Sequence, residues 1–343
     1  MGERVSACEI RVVGRLQEQE SADLAAALPS DPREIAAFYG EDQILAIHLQ
    51  RKLTKYLERL QMEELLQEAD PQTLARIHSL RGPGASAWLQ SIPKSQYLSF
   101  TNQEWLLAHR FRRDLIPQDD LKACICGYDF TQQDACYSHW HTCPKYRRTT
   151  INHRHDTMHR LIQSFHHTAG IMTSDHLGRE NNLVPDGLQL LEPPNYSDFT
   201  CRHPLAQSHL ADASNPAKIL DKAVMQKTKK YELWCQNRGA TFTAHAILSY
   251  GMLSIELINH LKKVAKHAAT CCYSRISDYR QYMREMVERI SVTLAKCNAW
   301  IYRKGIMDSG CIIKNRAPLN NYVVKDIVNT RRNEKRFAAL IQN

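Results

Sequence analysis

Long apolar runs are missing from this sequence. No stretch reaches the roughly 18 residues that a membrane-spanning helix needs. The first twenty residues, interrupted by Glu3, Arg4, Glu9 and Arg11, lack the apolar centre of a secretory signal. No long low-complexity tract appears, and glycine and proline, 13 each in 343 residues, stand at ordinary levels. Cysteine, at 11, is too sparse and irregular for a secreted disulfide framework. The odd count, with a close pair near histidines, suits a reducing compartment and a metal site. These absences predict a soluble, intracellular, folded chain with no membrane association, and the length allows two domains or one large domain with a helical extension.

What is present begins with charge. Lys and Arg number 45 against 36 Asp and Glu, a formal charge of +9, which favours a polyanionic partner. Helical periodicity runs from Glu34 to Glu68 through Ile44, Ile47, Leu53, Leu57 and Leu60, enough for at least two helices ending at Ala69-Asp70-Pro71. Asp70 and Pro71 are placed to cap and begin the next helix. The turn Arg81-Gly82-Pro83-Gly84 leads to Trp88 and Leu89 as core anchors, and it lacks the Gly-Lys-Ser/Thr ending of a phosphate loop. Asn102 to Arg113 reads as a helix with Trp105, Leu106 and Phe111 on its apolar side and Arg110, Arg112 and Arg113 placed to meet phosphates.

Cys124, Cys126, His139 and Cys143 follow the spacing C-x-C-x12-H-x3-C. Four soft or borderline ligands in so short a segment, with Gly127 to turn the chain, fit a closed tetrahedral zinc site that replaces a local core. Cys136 and His141 lie close enough in sequence to stand in for one ligand. After the basic run Lys145, Arg147 and Arg148, Met158, Leu161, Ile162 and Phe165 mark one face of a helix crowded with His153, His155, His159, His166 and His167.

Leu183 to Leu190 and Tyr196 to Cys201 read as two strands around a Pro-rich turn. Register decides whether their acids cooperate, because side chains alternate between faces. A five-residue loop, Leu190 to Pro194, pairs Gln189 with Asn195 and sets Asp186 opposite Asp198. Two carboxylates that close favour a hard cation, Mg2+ or Mn2+. Downstream, Lys227 and Lys230 share a helix face at i, i+3. Thr241 to Leu248, with Phe242, Ala244, Ala246 and Leu248 alternating, reads as another strand, and Leu257, Ile258, Leu261, Val264 and Ala265 mark a helix after Gly251. A long helical pattern runs from Ser274 to Ile301. The order implies an α/β fold, a small mixed sheet flanked by helices.

The succession Arg81-Gly82-Pro83-Gly84-Ala85-Ser86-Ala87-Trp88-Leu89, Cys124-Ile125-Cys126-Gly127, His139 with Cys143, His155-Asp156, Ala169-Gly170, Pro185-Asp186, Asp198-Phe199-Thr200, Lys227 with Lys230-Tyr231, and Gly251 resembles the C-terminal region of restriction-like-endonuclease non-LTR retrotransposons. In that family a zinc knuckle precedes a PD-(D/E)XK-type nuclease that nicks target DNA. The resemblance covers roughly residues 70 to 305 and rests on order and spacing rather than any one motif. It implies Asp186 and Asp198 as ligands of a catalytic Mg2+ or Mn2+, Lys227 and Lys230 as displaced catalytic lysines, and Glu180 or Asp156 as a third acid. Thr200 stands where many such enzymes carry lysine, and Val184 where an Arg or Lys often precedes the Pro-Asp pair.

The expected organisation is a helical N-terminal region at 1–118, a zinc knuckle at 119–148, a restriction-endonuclease-like core at 149–305 and a tail at 306–343. The expected protein is a metal-dependent, nuclear DNA endonuclease, or a retroelement-derived relative, since these residues carry no reverse transcriptase. The alternatives are an inactive nucleic-acid-binding protein on the same scaffold and a helical assembly protein clipped by zinc.

Overall fold

The computed structural model describes residues 43–93, 95–115, 121–132, 135–174, 183–271 and 274–310. Candidates outside them, Glu180 and the basic tail from Arg331, receive no structural account. The chain divides between Ala69 and Asp70 into two compact units. In the first, α1 (Gln43–Glu68) carries an exposed i, i+4 ion pair, Arg59 to Glu63 at 3.6 Å. That pair is of a kind that adds only a few tenths of a kcal/mol.

The second unit opens with α2 (Pro71–Arg81), and its start is written in the sequence. The Asp70 carboxylate accepts from the N–H groups of Gln72 (2.8 Å) and Thr73 (3.1 Å), and Pro71 takes the first position, where no N–H is needed. A short α3 (Ala87–Gln90) and α4 (Asn102–Arg113) follow, the latter closed by a reciprocal Thr101/Glu104 capping box. Trp88 is buried as expected, but Leu89 is 37% exposed. On α4 the buried face is Leu107, Ala108 and Phe111, whereas Trp105 and Leu106 lie at 41% and 50% exposure, one helical step off the expected stripe. Arg112 turns inward to the Ala85 carbonyl (3.3 Å) and Ser86 Oγ (2.9 Å), so it is spent on the 81–89 turn and not free for phosphate.

The core is α/β. After α5 (Asn152–Thr168) come β1 (Thr173–Ser174), β2 (Gly187–Gln189), β3 (Asn195–Arg202), α6 (Ala217–Gln236), β4 (Thr241–Leu248), α7 (Ile255–Thr270) and α8 (Tyr279–Asp308). The sheet runs β1-β2-β3-β4; the first two pairings are antiparallel and β3–β4 is parallel, bridged by the crossover helix α6. Period-two alternation divides β4 between two layers. Ala244, Ala246 and Leu248 pack with Ile219, Leu220 and Val224 of α6. Ile247, on the other face, joins Met158, Leu161, Ile162 and Phe165 of α5 and Leu257, Leu261 and Val264 of α7. β2 is shorter than expected, β1 was not foreseen, and β4 has the expected bounds.

Between sheet and helices lies a knot of histidines. His166 and His260 meet through their Nε2 atoms at 2.7 Å, and the His245 ring stands 4.5 Å from that of His260. His166 therefore faces the core, not a nucleic acid. Burial, reinforced by His260, holds His166 and His245 well below the ordinary imidazole range; burial and Lys263 bring His260 to about 4. A base lowered on folding stays neutral in the native chain while the unfolded chain takes a proton near 6.5, so stability is lost as pH falls from about 6.5 toward 4. For His260 alone the loss amounts to about 3 kcal/mol across that window. The melting temperature is expected to drop between pH 7 and pH 5, and His260→Gln to flatten the drop; a pH-independent melt would remove this role.

A second test concerns Gly305, in the last turn of α8. Alanine normally gains about 1 kcal/mol over glycine in a helix. Here a Cβ would stand 2.3 Å from the Trp140 ring, which is fully buried between Phe130 and Tyr302 and cannot withdraw. Gly305→Ala is expected to cost about 1–3 kcal/mol in denaturant unfolding; unchanged or raised stability would show that Trp140 is free to move.

Candidate metal cluster and acidic site

The turn holding the first two cysteines is built by its backbone. The Cys124 N–H reaches the Tyr128 carbonyl (2.8 Å), the Gly127 N–H reaches the Cys124 carbonyl (2.8 Å) and the Phe130 N–H reaches the Lys122 carbonyl (2.7 Å). Gly127 has φ +89°, a left-handed conformation that suits glycine. Opposite, the 3-10 turn His139–His141 presents His139, with Cys143 just beyond. The ligand atoms of Cys124, Cys126, His139 and Cys143 all lie within 4.8 Å of one another, a Cys3His cluster that can hold a metal ion such as zinc. The Tyr128 ring stacks on His139 at 4.1 Å and fixes its plane.

Burial pushes the Cys124 thiol up to about 12 and raises Cys143 as well, so without a cation these two stay protonated. A bound metal reverses this, since coordination deprotonates thiols outright. Burial keeps the His139 imidazole neutral, the form that ligates.

The two alternative ligands are excluded by their contacts. Cys136 Sγ sits on Ser138 Oγ at 3.0 Å. His141 is buried, stacks on Phe111 and accepts at Nδ1 from Arg154 Nη1 at 2.7 Å. Arg154, at the start of α5, also donates to Asn298 of α8, while Ser138 meets His203 at 2.9 Å. The cluster is thus tied to the sheet domain by buried hydrogen bonds, which a sequence of isolated histidines gives no sign of.

At the acidic site, β2 and β3 pair with Gln189 opposite Asn195 and Gly187 opposite Ser197, the register inferred from the five-residue loop. Asp186 lies one residue before β2 begins, so the next step of that register brings it to Asp198. Because β2 ends there, Phe199 has no strand partner on that edge. The Asp186 carboxylate takes the Phe199 N–H at 2.7 Å, and His155 Nε2 donates to the Phe199 carbonyl at 2.9 Å while standing 3.3 Å from Asp186 Oδ2. Asp198, 3% exposed, faces α6, where Lys227 Nζ spans both its oxygens at 3.0 and 2.5 Å. Lys230, one turn on, instead donates to the Tyr231 hydroxyl at 2.8 Å, which itself donates to the Val184 carbonyl. The structure therefore gathers Asp186, Asp198 and Lys227, adds His155, and sends Lys230 to a neighbouring tyrosine.

Electrostatics differ between the acids. Burial, then the charge of Asp186, raises Asp198 to about 6 against the pull of Lys227. Burial opposes ionisation of Asp186 too, but His155 and the Phe199 N–H hold it below the ordinary carboxylate value. His155 is disfavoured as a cation by burial, yet Asp186, Asp156 and the Phe199 carbonyl carry it to about 9. Two carboxylates and a carbonyl are the hard oxygens that Mg2+ or Mn2+ prefers, so the donor chemistry fits. The arrangement is closed, since each acid is neutralised by a cation of the chain itself. Among the described residues the Cys3His group alone gathers three or more Cys, His, Asp or Glu ligands tightly. Also among them, no helix is long and apolar enough to cross a membrane. No protein-family model matches the sequence, and no curated protein matches it.

Proposed function

We propose that the chain is a metal-dependent phosphodiesterase acting on DNA, related to the restriction-like endonucleases of non-LTR retrotransposons, with structural zinc in the Cys3His cluster. The observation that carries this reading is the convergence of Asp186, Asp198 and Lys227 from two paired strands and the helix that follows them. Nothing in a stable α/β core requires two carboxylates to be brought together at a strand edge, and doing so costs free energy. The absence of lysine at Thr200 fits the same reading, because α6 delivers an ammonium to the acid from outside the strand.

Asp186 and Asp198 would hold Mg2+ or Mn2+, which when bound supplies an acidified water and neutralises charge on the phosphate. Lys227 orients Asp198 and balances its charge. Lys145, Arg147 and Arg148 are exposed immediately ahead of α5, the helix that carries His155 to the acids, so phosphates bound there lie on the path from the cysteine cluster to the site.

Wild-type protein is expected to nick supercoiled plasmid with Mg2+ present, and Asp186→Ala to abolish nicking; activity that survives the substitution sinks the assignment. DNA binding is expected to weaken steeply with salt, as phosphate contacts require. The closed state of the acids favours a second reading, a nucleic-acid-binding protein without cleavage, and the same salt titration with no nicking by wild type identifies it.

A further inference from the structure

The acids are closed by two side chains of unequal standing. Lys227 comes from α6 and approaches Asp198 alone, whereas His155 comes from α5 and reaches two oxygens at once, the Phe199 carbonyl and Asp186 Oδ2. Its Nε2 lies 2.9 Å from the Phe199 carbonyl and 3.3 Å from Asp186 Oδ2, and its Nδ1 lies 3.1 Å from Asp156 Oδ1. A carbonyl only accepts hydrogen bonds, so Nε2 must donate. The ring is thus a donor wedged at the point where Asp186 and the backbone of β3 offer hard oxygens together, the donor types a divalent ion seeks. The premature end of β2 leaves that buried carbonyl without a strand partner on this edge, and the α5 helix, anchored by Met158, Leu161 and Ile162 in the core, fixes the reach of the ring.

We infer that His155 holds the place of the divalent cation, so that metal entry at Asp186 requires the imidazole to leave, and that His155 thereby sets the metal affinity of the site. This rests on the reading of Asp186 as a metal ligand given above. His155 acts as a positioning residue: it keeps Asp186 and the Phe199 carbonyl aligned in the metal-free protein and competes with the ion for them. A merely structural histidine, by contrast, would leave metal affinity untouched when replaced.

The test is Mn2+ titration of the full-length, zinc-loaded protein without nucleic acid, free Mn2+ being read by electron paramagnetic resonance. His155→Ala opens the space, and His155→Leu removes the donor while keeping bulk on α5, so one folded variant suffices. Mn2+ Kd is expected to fall about fivefold or more relative to wild type, the order of a single lost competing hydrogen bond of about 1 kcal/mol. Tighter binding by either folded variant supports the inference. Unchanged or weaker binding in both overturns it, weaker binding making His155 a ligand or a support of the site. Loss of Mn2+ binding in Asp186→Ala with no gain in the His155 variants sinks the displacement alone. Equal binding by wild type and Asp186→Ala sinks the reading of Asp186 as ligand, and the displacement with it.

Discussion

Stripping zinc from Cys124, Cys126, His139 and Cys143 is expected to unfold the turns that carry them and to lower the stability of the sheet domain with them. The turns around Cys124 and His139 have backbone bonds of their own and a share in the buried core through Phe130 and Trp140, but the four ligand atoms converge on one point that a metal would clamp. Structural zinc contributes about 10–16 kcal/mol of apparent binding free energy in comparable small sites. That is as large as the whole stability of an ordinary domain. The effect should spread because Trp140, next to the ligand His139, is buried against Tyr302 of α8, and His141 and Ser138 bond to Arg154 and His203. Cys143→Ser should reduce bound zinc from about one per chain to nearly none and lower the melting temperature by more than ~10 °C. Cys136→Ser should retain the metal, since that sulfur bonds to Ser138. Protein that carries no zinc and melts alike with and without chelator would show that the thiols are simply packed.

Asp198→Asn separates a working site from a structural ion pair. Cleavage is expected to fall at least about a hundredfold, because even groups one shell out from a metal are worth 10–100-fold and Asp198 would hold the ion directly. Stability should behave otherwise. Asp198 is raised to about 6 by burial and by Asp186, so ionising it weighs against folding. A carboxyl raised from 3.8 to about 6 makes the fold less stable as pH climbs through that interval, and the amide escapes the penalty. Lys227, freed of its partner, keeps enough exposure to reach water. The melting temperature at pH 7.5 should therefore not fall, and activity lost without stability is the mark of a site held against its own electrostatics. A buried pair that existed for stability would behave in reverse, losing about 3–5 kcal/mol when one partner is removed. Retained cleavage with a markedly lower melting temperature would assign the pair to structure.

Much of this was legible in the chain because it is local. The α2 cap needs only Asp70 and Pro71 side by side. The β2–β3 register follows from loop length and a period of two, and β4 shows its faces in Phe242, Ala244, Ala246 and Leu248. The miss on α4 has a physical cause: Trp105 and Leu106 are apolar enough to suggest a core stripe, but Trp105, itself 41% exposed, only covers the edge of the core by meeting Trp88 and Phe100 edge-on, while Leu107 and Phe111 take the interior.

The sequence by itself determined the four metal-ligand candidates, the pairing of the acid-bearing strands and the alternating layers, since each depends on spacing along one or two adjacent elements. Tertiary structure alone decided that Cys136 and His141 stand outside the ligand set, that Lys227 and not Lys230 meets Asp198, and that His155 lies against Asp186. Apart from the Cys136–Ser138 contact, which spans two positions, those choices turn on contacts between residues 13 to 31 positions apart, on different elements. Which side chain reaches a shared point is fixed by how a helix seats on the sheet, and no periodicity in the chain encodes that.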